Sequence, residues 1–123
     1  MSLKSHRDLV YWQKSMDLVT DIYTLTSKLP KDEAFALCSQ MRRAAVSIPS
    51  NIAEGYDRNS VRDYIKFLHV ALGSNAELQT QLEICVKVNY FSKEDIKEIF
   101  MLSKEISKMI STAIESLRKK LTN

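Results

Sequence analysis

Residues 33–88, EAFALCSQMRRAAVSIPSNIAEGYDRNSVRDYIKFLHVALGSNAELQTQLEICVKV, decide the architecture. In the first half, Ala34, Leu37, Cys38, Met41, Ala45, Ile48 and Ile52 recur close to a heptad. In the second half, Tyr64, Leu68, Ala71, Leu78, Leu82 and Cys85 do the same, with Asn75 the one polar member of the seam. Steps of three and four put each set on one face of a helix. Asp57 to Asn59 separate the two sets, too few residues for anything but a tight turn between antiparallel helices. The expected spans are 33–56 and 61–88. Pro49 falls inside the first. It removes one backbone hydrogen bond, so a bend is expected there, but the apolar pattern runs through it to Ile52. Gly55 is expected to end that helix in a left-handed cap.

Outward from this hairpin the pattern repeats. Leu9, Trp12, Met16, Val19, Ile22, Tyr23 and Leu29 predict a helix over 6–28, stopped by Pro30. Asp32 is the expected N-cap of the next helix, with Glu33 in its first turn. Ile96, Ile99, Phe100, Ile106, Ile110, Ala113, Leu117 and Leu121 predict a last helix over 93–121. Ser5 with Asp8, Ser60 with Asp63 and Ser92 with Asp95 give the same S-x-x-D start signal three times. Four long helices with short connections predict an all-α, antiparallel up-down-up-down four-helix bundle, in one domain over 1–123.

Composition agrees and excludes other classes. The chain has 123 residues, 45% hydrophobic and 27% charged, with only 2 glycines and 2 prolines. Sheet folds need many turns, and turns need those residues. Lys+Arg 18 against Asp+Glu 15 gives a net charge of +3 and a pI near 8.9, which is mildly basic. Cys38 and Cys85 stand apart, outside any metal-ligand spacing, and read as buried thiols. The opening MSLKSHRDLVYW has no apolar leader core, and no apolar run approaches the ~20 residues of a membrane span. A cytoplasmic protein without a membrane partner is expected.

Enzyme templates fail. There is no GxGxxG, P-loop, HExxH or CxxC; of the two histidines, His6 sits at the start of the chain and His69, off the seam of the third helix, has no evident carboxylate partner. The carboxylates alternate with lysines, as in Lys93-Glu94-Asp95-Ile96-Lys97-Glu98, which is the pattern of a solvated face. No catalytic, cofactor or metal site is expected.

Two groups of polar residues stand out. Gln40, Arg43, Ser47, Asn51 and Glu54 share one side of the second helix, and Ser74, Glu77 and Gln81 line the seam of the third. These predict a hydrogen-bonded seam between the two helices or between subunits. Pairing about the turn sets Arg43 level with Ser74 and Gln40 with Glu77. Arg43 is therefore expected to bond near Ser74 or Glu77, with Arg42 its rival. Arg58, Arg62 and Lys66 step by four and, with Arg42, form the expected nucleic-acid ridge near the turn; Asp57 and Asp63 would neutralise part of it. Phe35, Val46, Ala53, Ile65 and Leu72 exceed a single apolar stripe, so self-association is expected.

The stretches RDLVYWQKSMDLVTDIYTLT, QMRRAAVSIPSNIAEG and RDYIKFLHVALGSNAELQTQLEI resemble the four-helix-bundle family of the 23S rRNA intervening sequence protein. The resemblance covers nearly the whole chain, with little signature in the last helix. It implies an antiparallel bundle assembling as a homopentamer, without enzymatic activity or cofactor. A similar group, the accessory variability proteins of diversity-generating retroelements, forms pentamers that work with a reverse transcriptase and nucleic acid. Two functions follow as expectations: an oligomeric scaffold that binds RNA or DNA or a nucleic-acid enzyme, or a protein–protein adaptor whose basic residues are surface charge only.

Overall fold

The computed structural model describes residues 3–122. Four helices follow in order: α1 (Val10–Thr26), α2 (Leu37–Tyr56), α3 (Val61–Lys87) and α4 (Lys93–Thr122). Each packs against the next, and α4 returns to α1, closing an antiparallel four-helix bundle. The α2–α3 contact is the most extensive and the α1–α4 contact the thinnest.

The core follows the apolar stripes. Leu18, Ile22, Met41, Ile48, Ile52, Leu68, Leu78, Leu82, Ile106 and Ile110 are wholly buried. Buried Ser15 and Thr26 satisfy their hydroxyls inside α1, donating to the Tyr11 and Ile22 carbonyls at 2.6 Å each. Asn75, the polar member of the α3 seam, faces α4. Its Nδ2 donates to the Ser103 carbonyl (2.8 Å) and to Ser107 Oγ (2.7 Å), while Ser103 Oγ donates to Asn75 Oδ1 at 2.5 Å. Gln79 adds a bond to Ser103 Oγ at 2.9 Å. A polar network in an otherwise apolar seam fixes the height of α3 against α4, because sliding either helix would strand these groups.

Helix ends match the start signals for α3 and α4 and depart from them for α1 and α2. Ser60 Oγ accepts the Asp63 N–H at 3.2 Å. Ser92 and Asp95 bond reciprocally at 2.9 and 3.1 Å; the Ser92 backbone N–H, and after it the Ser92 side chain, hold the Asp95 carboxyl below its ordinary pKa. Ser5 and Asp8 form the same capping box, but on a single 3₁₀ turn, His6–Asp8, after which Leu9 is extended and α1 begins. Asp32 is likewise not the N-cap of α2. It lies in a 3₁₀ turn, Lys31–Glu33, and Ala36 breaks the path before α2 starts. The Glu33 carboxylate instead reaches forward to the Leu37 N–H (3.3 Å) and accepts the Tyr90 hydroxyl at 2.6 Å.

Gly55 is not a left-handed cap: it is helical, buried within α2, and its φ is not positive. Its lack of a side chain serves close approach, since a Cβ there would lie 2.7 Å from Phe67 Cβ and 3.1 Å from Tyr64 Cδ1. The left-handed residue is Asn89 (φ 65°), which ends α3 and lets the Tyr90 N–H return to the Cys85 carbonyl at 2.9 Å. Ile65 and Leu72, expected to cover a neighbour, are used inside the protomer: Ile65 is buried and Leu72 packs on the core.

Candidate interaction surfaces

The four helices present four outer grooves of different chemistry. The α2–α3 groove contains the polar seam. Ser47 Oγ and Ser74 Oγ share a hydrogen bond at 2.8 Å across the helices. Asn51 Nδ2 donates to the Ser47 carbonyl (2.8 Å) and hydroxyl (2.9 Å). Gln81 Nε2 donates to Glu77 at 3.3 Å, and Gln81 Oε1 is buried without a partner. Glu54 turns away to Arg58 at 3.0 Å. Gln40 and Arg43 are exposed.

Arg43 meets neither Ser74 nor Glu77. The cause is register: pairing about the turn's centre would set Ser47 opposite Val70 and Met41 opposite Ala76, whereas Ser47 meets Ser74 and Met41 meets Cys85. Side chains lean toward the N-terminus of their own helix, which accounts for about two residues of shift in an antiparallel hairpin; the larger part is an axial offset between α2 and α3. Arg42 is not the alternative partner either. It turns to α1, where Nε donates to Thr26 Oγ1 at 2.9 Å, Nη2 to the Tyr23 carbonyl at 3.3 Å, and the guanidinium lies 4.4 Å from the Tyr23 ring centroid. That contact occupies its donors far from the α2–α3 turn, so Arg42 leaves the expected basic cluster.

The ridge divides as well. Arg58 precedes α3, pairs with Glu54 and lies 5.0 Å from the Phe67 ring centroid, which places it over the α2 side of α3. Arg62 and Lys66 are exposed, and at 100° per residue they fall about 20° and 60° round α3 from His69. They are two turns and one turn from His69, whose Nε2 accepts from Arg118 Nη2 at 3.1 Å. The His69–Arg118 bond spans α3 and α4, and helix spacing sets Arg62 and Lys66 beside it on α3. Further along α4, Lys104 and Lys108 lie on the same side and Lys97 borders both neighbouring grooves, while Glu98 and Glu105 lie on the side toward α1.

On the α1–α4 side, Asp21 has its carboxyl raised by partial burial and then by Asp17 and Glu98 nearby, and Lys14 pairs with Glu105 at 3.2 Å. Helix α4 therefore separates a groove with an excess of bases from one with an excess of acids, Glu94 and Lys97 bordering both. The missing members, Arg118 and the α4 lysines, were available as a spacing in the sequence; only the α3–α4 contact shows that they join Arg62 and Lys66.

The α1–α2 groove is apolar at its surface, with Met16, Tyr23 and Val46 exposed. Beyond its end stands Phe35, 99% exposed in the short connection before α2. Cys85 is buried against Met41 Sδ (3.8 Å), and burial, with Glu33 a lesser cause, pushes its thiol up to about 11. Among the described residues no three His, Cys, Asp or Glu side chains are grouped as metal ligands, and no helix is long and apolar enough to cross a membrane.

No curated protein matches the chain. Among solved structures, a protein of unknown function from the S23 ribosomal protein family of Bacteroides thetaiotaomicron VPI-5482 superposes with a TM-score of 0.80 at 29% identity, covering 86% of this chain and 96% of that one. The family model described as 23S rRNA-intervening sequence protein matches residues 7–112. That match takes in all of α1 to α3 and most of α4, and the chain belongs to the 23S rRNA-intervening sequence protein family.

Proposed function

We propose that the protein is a non-catalytic helical scaffold that assembles as a homopentamer and binds nucleic acid along the α3–α4 groove. The observation that carries this reading is the segregation of charge across α4, with Arg62, Lys66, Arg118, Lys104 and Lys108 on one side and Glu98 and Glu105 on the other. A protomer of net charge +3 binds a polyanion weakly. A ring repeats the groove in every copy, so contacts add with a high effective concentration. The exposed apolar residues of the α1–α2 groove support the self-association that this requires. Lys104 approaches the Phe100 ring at 5.9 Å, but the Arg62 end carries no aromatic platform, so contact is to phosphates and sequence preference is weak.

The test is fluorescence anisotropy with labelled RNA and DNA. Six or more phosphate contacts spread over the ring should reduce affinity about 10³-fold or more between 50 and 200 mM salt. Arg62→Glu/Lys66→Glu should abolish binding. Arg58→Glu should leave it nearly unchanged, because Arg58 is occupied by Glu54 and Phe67. Absence of wild-type binding at low salt would replace this reading with a protein–protein adaptor.

A further inference from the structure

We infer that Phe35 is an assembly knob, and that it seats in the groove at the α3–α4 turn of a second copy of this chain. The inference rests on the oligomeric reading above and adds the contact that would close the ring.

Phe35 is the most exposed large apolar side chain of the described residues. A flexible loop would let it fold back onto the protein, but its segment is held on both sides. The Ala36 N–H bonds the Glu33 carbonyl at 3.1 Å, the Gln40 N–H bonds the Ala36 carbonyl at 2.9 Å, and the Glu33 carboxylate is fixed by Leu37 N–H and the Tyr90 hydroxyl. The phenyl ring is thus displayed on a pinned turn. Keeping such a ring in water forgoes the burial free energy that aromatic side chains ordinarily gain.

The receiving site lies at the same end of the bundle, which the Tyr90–Glu33 bond fixes by joining the α3–α4 turn to the segment before α2. It is an open groove lined by Val86, Ile96, Phe100 and Met101, with Glu83, Lys87, Lys93, Glu94 and Lys97 around them. Met101 is largely exposed. The second groove at this end, between α1 and α4, has Leu25, Ile99 and Met101 in its lining, but Asp21, Lys28, Glu94, Asp95, Lys97 and Glu98 surround them and make it the more polar seat for a phenyl ring.

Knob and groove are different surfaces of one protomer, so the contact is heterologous. In a cyclic ring every copy has the same orientation along the axis, so a knob can meet only a groove at its own height, as here. Charge agrees in sign. Lys31, Asp32 and Glu33 give the knob segment a net −1, and Lys87, Lys93 and Lys97 with Glu83 and Glu94 give the groove rim a net +1.

A complementation experiment tests this. Phe35→Ser removes the knob and keeps the groove; Met101→Lys blocks the groove at an exposed position and keeps the knob. Each variant should retain wild-type helicity by circular dichroism and sediment as a monomer. Mixed in equal amounts, they should form a heterodimer and nothing larger, because one good knob and one good groove remain between them. A p-benzoylphenylalanine at position 35 of otherwise wild-type protein should cross-link to peptides within residues 83–101 of another copy. Assembly of Phe35→Ser like wild type, or monomeric variants that fail to pair on mixing, would overturn the inference and leave the oligomeric reading standing. A monomeric wild type would overturn both.

Discussion

Replacing Asn75 with alanine should destabilise the protein by about 2–3 kcal/mol, and the structure says which atoms are responsible. The Asn75 carboxamide is fully buried and makes three bonds, two as donor to the Ser103 carbonyl and Ser107 Oγ and one as acceptor from Ser103 Oγ. Ser107 is half-buried and can turn to water, so its loss costs little. Ser103 is wholly buried and cannot, which contributes about 1–2 kcal/mol for a hydroxyl left without its acceptor. The vacated carboxamide adds a small cavity, about 1 kcal/mol. With an unfolding entropy near 2.1 cal/mol/K per residue, the sum lowers Tm by roughly 10 °C. Urea titration and thermal unfolding at fixed protein concentration measure it. Asn75→Leu refills the volume but still strands Ser103. Asn75→Leu/Ser103→Ala removes both polar partners and should recover most of the loss. An Asn75→Ala variant within 0.5 kcal/mol of wild type, or a double variant no better than Asn75→Leu, would refute the reasoning.

Gly55→Ala should cost about 1–3 kcal/mol by urea titration, because its methyl would meet the Phe67 Cβ at 2.7 Å and force α2 from α3 near their turn. Arg42→Ala should cost about 1–2 kcal/mol, since it removes two hydrogen bonds and the stacking on Tyr23; Glu77→Ala, whose only side-chain bond among the described residues is to Gln81 at 3.3 Å, should stay within about 0.5 kcal/mol. The Tyr90 hydroxyl, held protonated by its bond to Glu33, titrates at about 12 instead of 10.0. Its folded pKa is raised, so the stability it contributes is complete below pH 10 and is lost as pH rises toward 12. Across that window wild type should lose stability more steeply than Tyr90→Phe when followed by chemical denaturation.

The hairpin at the centre of the sequence was legible because its two stripes are long and its start signal is local. Ser60 and Asp63, like Ser92 and Asp95, sit beside the helices they cap, and both predicted starts coincide with those of α3 and α4. The same signal misled at Ser5, where one extended residue, Leu9, separates the box from α1. What the sequence could not show depends on reach between helices. Height along the axis pairs Arg43 with Ser74, but side-chain lean together with an axial offset of α3 against α2 moves the partner of Ser47 by about one turn. Arg58, Arg62 and Lys66 share a spacing, yet Arg58 lies before the helix that orders the other two, and Glu54 and Phe67 draw it aside. Arg42 carries no mark in the chain that says it will choose Tyr23 and Thr26. Gly55 reads equally as a cap or as a place of close approach, and only the nearness of Phe67 decides.

The proposed ring is tested most directly by the mass of the wild-type protein in solution. Size-exclusion chromatography with light scattering at micromolar concentration should give five times the 14.1 kDa protomer, about 70 kDa. A single species at the protomer mass would contradict the account, since the pinned Phe35 and the exposed apolar residues of the α1–α2 groove would then stand in water with no second copy to cover them.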